Sequence, residues 1–161
     1  MQRFFTYRKL AVTVMVLGVL ACASPAQGET VPYKEKGAGH IDALYFPSPT
    51  IAVQEWSGGG LATHLGKYTQ SGIHAIDLTT GAISGHFTTI AADGATLTGH
   101  YDGYIVLNAD GSVGYFVTAH WDVGTGRLAG VTGIGDVVAI ADSAFPGAAY
   151  SYVTDGELQF P

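Results

Sequence analysis

The chain holds a single cysteine, Cys22, in 161 residues. No internal disulfide can staple it, so its stability must come from a packed core. Basic side chains are almost as scarce. Arg3, Arg8 and Lys9 lie at the start, and only Lys34, Lys36, Lys67 and Arg127 follow. Beyond residue 29 these four bases face twelve acids, so the net charge is 4 − 12 = −8. Affinity for phosphate backbones depends on clustered Lys and Arg, which excludes nucleic acid and anionic lipid surfaces as partners. Also missing is any stretch of ten or more residues with helical periodicity and caps. No hydrophobic run is long enough for a transmembrane helix. The uncharged run LAVTVMVLGVLA, from Leu10 to Ala21, has 12 residues. That is about 18 Å of helix against roughly 30 Å of hydrocarbon.

What is there begins with that run. A charged start, a short apolar middle and small residues after it have the pattern of a secretory signal over residues 1–22. Two cleavage sites are open. The tetrapeptide VLAC resembles the lipobox of bacterial lipoproteins, which implies lipidation at Cys22, with Leu20 bulkier than the usual residue there. The tripeptide SPA, Ser24 to Ala26, offers a conventional cut near 26–28. The expectation is an exported protein, in the periplasm, anchored to a membrane only through lipid, or extracellular. Residues 23–38, ASPAQGETVPYKEKGA, are polar and rich in small residues, and read as a flexible tether. Residues 39–161 read as one domain, long enough for a real core.

That domain reads as all-β. Short apolar or aromatic runs alternate with turn signals: LTTG ending at Gly81, AADG at Gly94, NADG at Gly111, VGTG at Gly126 and VTDG at Gly156. Asp-Gly is among the strongest hairpin signals, because both residues tolerate positive φ. Alternation supports the assignment. Leu97, Gly99, Tyr101, Gly103, Ile105 and Leu107 share one face, and Thr98, His100, Asp102, Tyr104 and Val106 share the other. Val113, Tyr115, Val117, Ala119 and Trp121 form a second apolar face. Glycines inside strands weaken them, and the sharp bends of a small closed barrel are a reason to keep them at 85, 99, 103 and 114.

Conventional catalytic signatures are absent. The glycine-rich GTGRLAGVTG, residues 124 to 133, has no helix after it to receive a phosphate and no Gly-Lys-Ser/Thr. No Gly-x-Ser-x-Gly elbow supports a triad from Ser84, His100 and Asp102. Six histidines stand at 40, 64, 74, 86, 100 and 120, none within five residues of another. His86, His100 and His120 can meet only across strands, so no metal or cofactor is expected. Most acids fall in turn signals. Asp77, Asp102 and Asp136 lie within strand patterns and are expected to face solvent. That leaves aromatics: Tyr68, Phe87, Tyr101, Tyr115 and Trp121 are the candidates to line a cavity and hold a flat apolar ligand. The segment THLGKY, Thr63 to Tyr68, beside SGGG at 57–60, is a candidate rim.

The stretch Gly124, Thr125, Gly126, Arg127 and then Gly133 resembles the Gly-Thr-Gly-(Arg/Lys)-Phe-x-x-x-x-Gly signature of plant dirigent proteins and allene oxide cyclase-like barrels, with Leu128 in place of Phe. GHFTTIAADGATLTGHYDG resembles the hairpins that precede the signature, and GGGLATHLGKYT a segment of exported bacterial members. The resemblance implies an eight-stranded antiparallel calycin-like barrel around an apolar cavity, in which the motif is structural. It also implies oligomers, commonly trimers, although nothing in the sequence selects an interface. Those families steer phenoxy-radical coupling or cyclise a reactive epoxide, and their catalytic residues match no positions here. Three functions follow: binding of a small apolar molecule in the barrel, which leads; a cyclase- or dirigent-like enzyme of the isomerase type; and an envelope protein with a filled barrel.

Overall fold

The computed structural model describes residues 28–161; the leader, Cys22 and the cleavage sites lie outside them. Eight strands run in order: β1 (Thr30–Ser48), β2 (Ile51–Ala62), β3 (Gly66–Asp77), β4 (Ala82–Ala91), β5 (Thr96–Leu107), β6 (Val113–Gly124), β7 (Thr132–Ala141) and β8 (Ala149–Gln159). Each pairs antiparallel with its sequence neighbours, and β1 closes on β8 to complete a barrel. The fold is all-β, as the turn spacing and alternation require. Closure leaves no unpaired edge among the strands.

The two ends differ. At one, the turns β2–β3 and β4–β5 and the β6–β7 connection are plugged by Leu65, Leu97, Leu128, Val131 and Leu158, all buried. At the other, the connections β1–β2, β3–β4, β5–β6 and β7–β8 surround a mouth. The glycine-rich stretch belongs to the plugged end. Gly126–Leu128 is a single 3-10 turn and Leu128 is fully buried. Arg127 bonds the carbonyls of His64 (2.6 Å) and Leu65 (3.1 Å) and the carboxylate of Asp93. One guanidinium thus ties three connections together, a task suited to its fork of donors.

Several local expectations are corrected. Residues 30–38 are not tether but the first half of β1. Val31, Tyr33 and Glu35 point inward while Lys34 and Lys36 point out, an alternation that polar composition obscured. Pro32 does not interrupt the strand. Its carbonyl meets the His64 ring at the β2–β3 turn, so its imide nitrogen faces away from β8 and the missing N–H costs that ladder nothing. Within the glycine-rich stretch, RLAGV forms the 3-10 turn and plug, and β7 begins at Thr132. SGGG lies inside β2, paired on both sides. The Asp-Gly signals at Gly94 and Gly111 are turns, with φ of 85° and 88°. VTDG is not a turn. Gly156 sits within β8, where a Cβ would strike the Ile134 carbonyl of β7.

Outside, the barrel carries an apolar belt. Tyr104, Phe116, Val138 and Val153 lie in register across β5 to β8, each at least 36% exposed.

Candidate functional site

Inward residues of all eight strands line a cavity of about 110 Å³ towards the mouth. The apolar cavity known to admit a benzene ring is somewhat larger, about 150 Å³. The wall has two characters. β4 to β7 supply Ile83, Phe87, Val117, Ala119, Trp121, Val137 and Ala139, with the rings of Tyr101 and Tyr115. β1 to β3 supply every carboxyl, carboxamide and imidazole: Glu35, Gln54, Gln70 and His74. Tyr150, Tyr152 and Thr154 of β8 complete the polar side.

Two hydrogen-bonded groups organise the polar side. The first runs through His74. Gln54 Nε2 donates to the Ala144 carbonyl in the β7–β8 connection (2.7 Å), which fixes the amide orientation because a carbonyl only accepts. Gln54 Oε1 therefore accepts from His74 Nε2 (2.7 Å) and from the Tyr115 hydroxyl (3.1 Å). His74 Nδ1 is left with its lone pair and accepts from the Tyr101 hydroxyl (2.8 Å), which accepts in turn from Trp56 Nε1 (3.0 Å). Every proton in the chain is assigned, and His74 is neutral. Burial lowers its pKa from 6.5 to about 4.

The second group surrounds Glu35. The Tyr152 hydroxyl donates to Glu35 Oε1 (3.2 Å) and that of Thr154 to Oε2 (3.1 Å), while Tyr68 and Tyr152 bond each other through their hydroxyls. No lysine or arginine shares this space, since all four bases of the described residues are exposed. Burial pushes the Glu35 pKa up, opposed by the hydroxyls of Tyr68, Thr154 and Tyr152. Burial likewise raises the phenols of Tyr33, Tyr68 and Tyr152, which stay protonated and serve as donors. The Tyr33 hydroxyl is buried with no hydrogen-bond partner.

Of the five aromatics expected at a cavity, Phe87, Tyr101, Tyr115 and Trp121 line it. Tyr68 does not line it directly; it stands behind the wall, bonded to Tyr152. THLGKY is no rim, because Thr63–Leu65 forms a turn at the plugged end. Gly124, Thr125, Gly126, Arg127 and Gly133 also lie at or beside that end. His86, His100 and His120 are in register on the outer face, with the rings of His100 and His120 stacked at 4.9 Å. Among the described residues no three His, Cys, Asp or Glu side chains converge as a metal site would need. Asp102 and Asp136 face solvent, and Asp77 accepts from Thr79 in the β3–β4 turn.

Sequence reasoning passed over Glu35, Gln54, Trp56, His74, Tyr150, Tyr152 and Thr154. Their signal was period-two spacing: Ala52, Gln54 and Trp56 alternate, as do Tyr150, Tyr152 and Thr154. Glu35 was hidden by its assignment to the tether.

A closed eight-stranded barrel with a mouth, a plug and a polar-sided cavity defines the class. No protein-family model matches the sequence, nor does any curated protein. Among solved structures the fold is similar to that of a pterocarpan synthase dirigent protein, with 14% identity, 95% of this chain and 98% of that chain covered, and a TM-score of 0.50. The fold is therefore a dirigent-like barrel, and that likeness concerns architecture alone.

Proposed function

We propose that this is an exported binding protein that holds one small, largely apolar molecule in its barrel. The observation that carries the reading is the cavity of about 110 Å³, walled by rings on one side and by fixed polar groups on the other. Such sites bury an apolar body and orient it by a few placed donors and acceptors. Export rests on the leader pattern, Arg3, Arg8 and Lys9 before Leu10 to Ala21. Comparing native with denaturing mass spectra of the purified protein tests the reading. A small molecule released only on denaturation is the expected outcome. A ligand-free mass that persists after soaking with small apolar compounds overturns it in favour of a filled, structural barrel.

One observation favours a second reading, an isomerase or cyclase. Glu35, a buried acid, and His74, a buried neutral base, line the same cavity. Perturbed ionisable groups of this kind mark catalytic sites. Conversion of the released molecule on re-addition of protein would distinguish an enzyme from a carrier.

A further inference from the structure

The basic charges of this barrel are sorted by position, while acids stand at both ends. All four basic side chains of the described residues stand at the plugged end: Lys34 and Lys36 at the start of β1, Lys67 at the start of β3, and Arg127 in the clamp. The mouth has none. Asp77, Asp110 and Asp142 sit in or beside its connections, and Asp42 and Glu55 lie on the mouth half of β1 and β2. Inside there is one carboxyl group, Glu35, and no cationic partner for it. Aromatic side chains make up much of the rest of the lining, among them Trp56, Phe87, Tyr101 and Trp121.

We infer that the ligand is a small organic cation, an ammonium group on a compact apolar body, with the ammonium held on the Glu35 side. The inference rests on the ligand-binding reading above and gives it a chemical class. A buried carboxyl without a counter-charge is costly as an anion and so gives up its charge to a proton. An incoming ammonium takes the place of that proton, which leaves to solvent, and in a medium of low dielectric the resulting pair is stronger than in water. Aromatic faces attract the same cation through their negative quadrupoles. The mouth, with its acids and no Lys or Arg, where His40 stands beside Asp42 (3.1 Å), raises the local concentration of cations and repels anions. A neutral molecule of equal shape gains only the apolar contacts. An anion gains them too, but meets a like charge or a proton-filled acid with no cation to offset its desolvation. The order cation, neutral, anion follows.

Three probes that share one ring and differ in charge test this: benzylammonium, benzyl alcohol and benzoate, titrated calorimetrically at pH 7 and moderate salt into the full chain. Benzylammonium is expected to bind about tenfold or more tightly than benzyl alcohol, the two competing for one site. Benzoate is expected to be weakest. Glu35→Gln should remove the preference for the cation, so that benzylammonium and benzyl alcohol bind it within about twofold of each other. If that variant does not fold, the order of the three probes on the unaltered chain decides. Benzyl alcohol binding as tightly as benzylammonium overturns the inference and leaves the binding protein intact. Benzylammonium that binds but is not displaced by benzyl alcohol lies on the acidic surface, and that too overturns it. Uptake of none of the three overturns this inference, while the comparison of native with denaturing mass spectra decides the binding reading separately.

Discussion

His74 should make the barrel sensitive to acid, and the size of the effect can be worked out. The imidazole is 7% exposed, with both ring nitrogens engaged in its neutral form. Its pKa falls from 6.5 to about 4 on folding because burial disfavours the charged ring. Between those values the unfolded chain binds a proton that the folded chain refuses. Stability from this residue is therefore complete above about pH 6.5 and is lost as pH falls towards 4. The difference corresponds to about 3 kcal/mol at most. Glu35 works the other way. Its raised pKa gives stability that is present at low pH and lost as pH rises through the folded value. The two are separated by measuring urea midpoints from pH 4 to 8 for the parent and for His74→Gln, which keeps a donor and an acceptor but does not titrate. Subtracting one curve from the other cancels Glu35. The difference should be flat above pH 7 and fall by up to about 3 kcal/mol by pH 4. Parallel curves would refute the reasoning, because they would mean that water reaches the ring and charges it in place.

Leu128→Ala removes a fully buried plug residue and should cost about 2–5 kcal/mol, read as a lowered urea midpoint. Arg127→Ala should cost about 1–2 kcal/mol; its contacts are charge-assisted but partly exposed. Arg127→Lys should recover little of that, since a point charge cannot span two carbonyls and a carboxylate. Gly99→Ala would drive a Cβ onto the His120 carbonyl of the neighbouring strand, and should yield a protein that fails to fold or loses more than about 3 kcal/mol. Gly37→Ala meets the movable Tyr152 ring first, so it should fold, lose about 1–3 kcal/mol, and bind the benzyl probes more weakly because the ring is displaced.

The fold was legible because its cues are local. In β5, Leu97, Gly99 and Tyr101 alternate with Thr98, His100 and Asp102, and the buried set faces the interior as that pattern predicts. Turns announced by Asp93-Gly94 and Asp110-Gly111 fall where expected. What failed was composition standing in for periodicity. The segment TVPYKEKGA reads as a polar linker by content, yet its odd positions are Val31, Tyr33 and Glu35, a strand with one inward acid. The site was less legible for the same reason. Glu35, Gln54, Gln70 and His74 are polar side chains on an inner face, and alternation alone does not say which face looks in. Only closure of β1 on β8 brings Glu35 to Tyr152 and Thr154, residues more than a hundred positions away.

Strand glycines were expected to ease bending, but many of them have a steric partner instead. Gly37 lies under the Tyr152 ring, Gly39 and Gly58 under the Tyr150 hydroxyl, Gly72 under Trp56, and Gly85 beside His74 and Tyr101. Each inward position without a side chain lets a ring from a neighbouring strand lie along the wall. A barrel this small, lined by large residues at those positions, would fill its own axis. The glycines explain how so many rings coexist with a cavity, and why the open space survives where Tyr150, Tyr152 and Trp56 meet the polar groups of β1 to β3. Glycine placement and aromatic placement are therefore one feature of the sequence. A relative that keeps the rings but replaces Gly37, Gly58 and Gly72 with larger residues should keep the fold only by shifting those rings, and should lose the cavity with them.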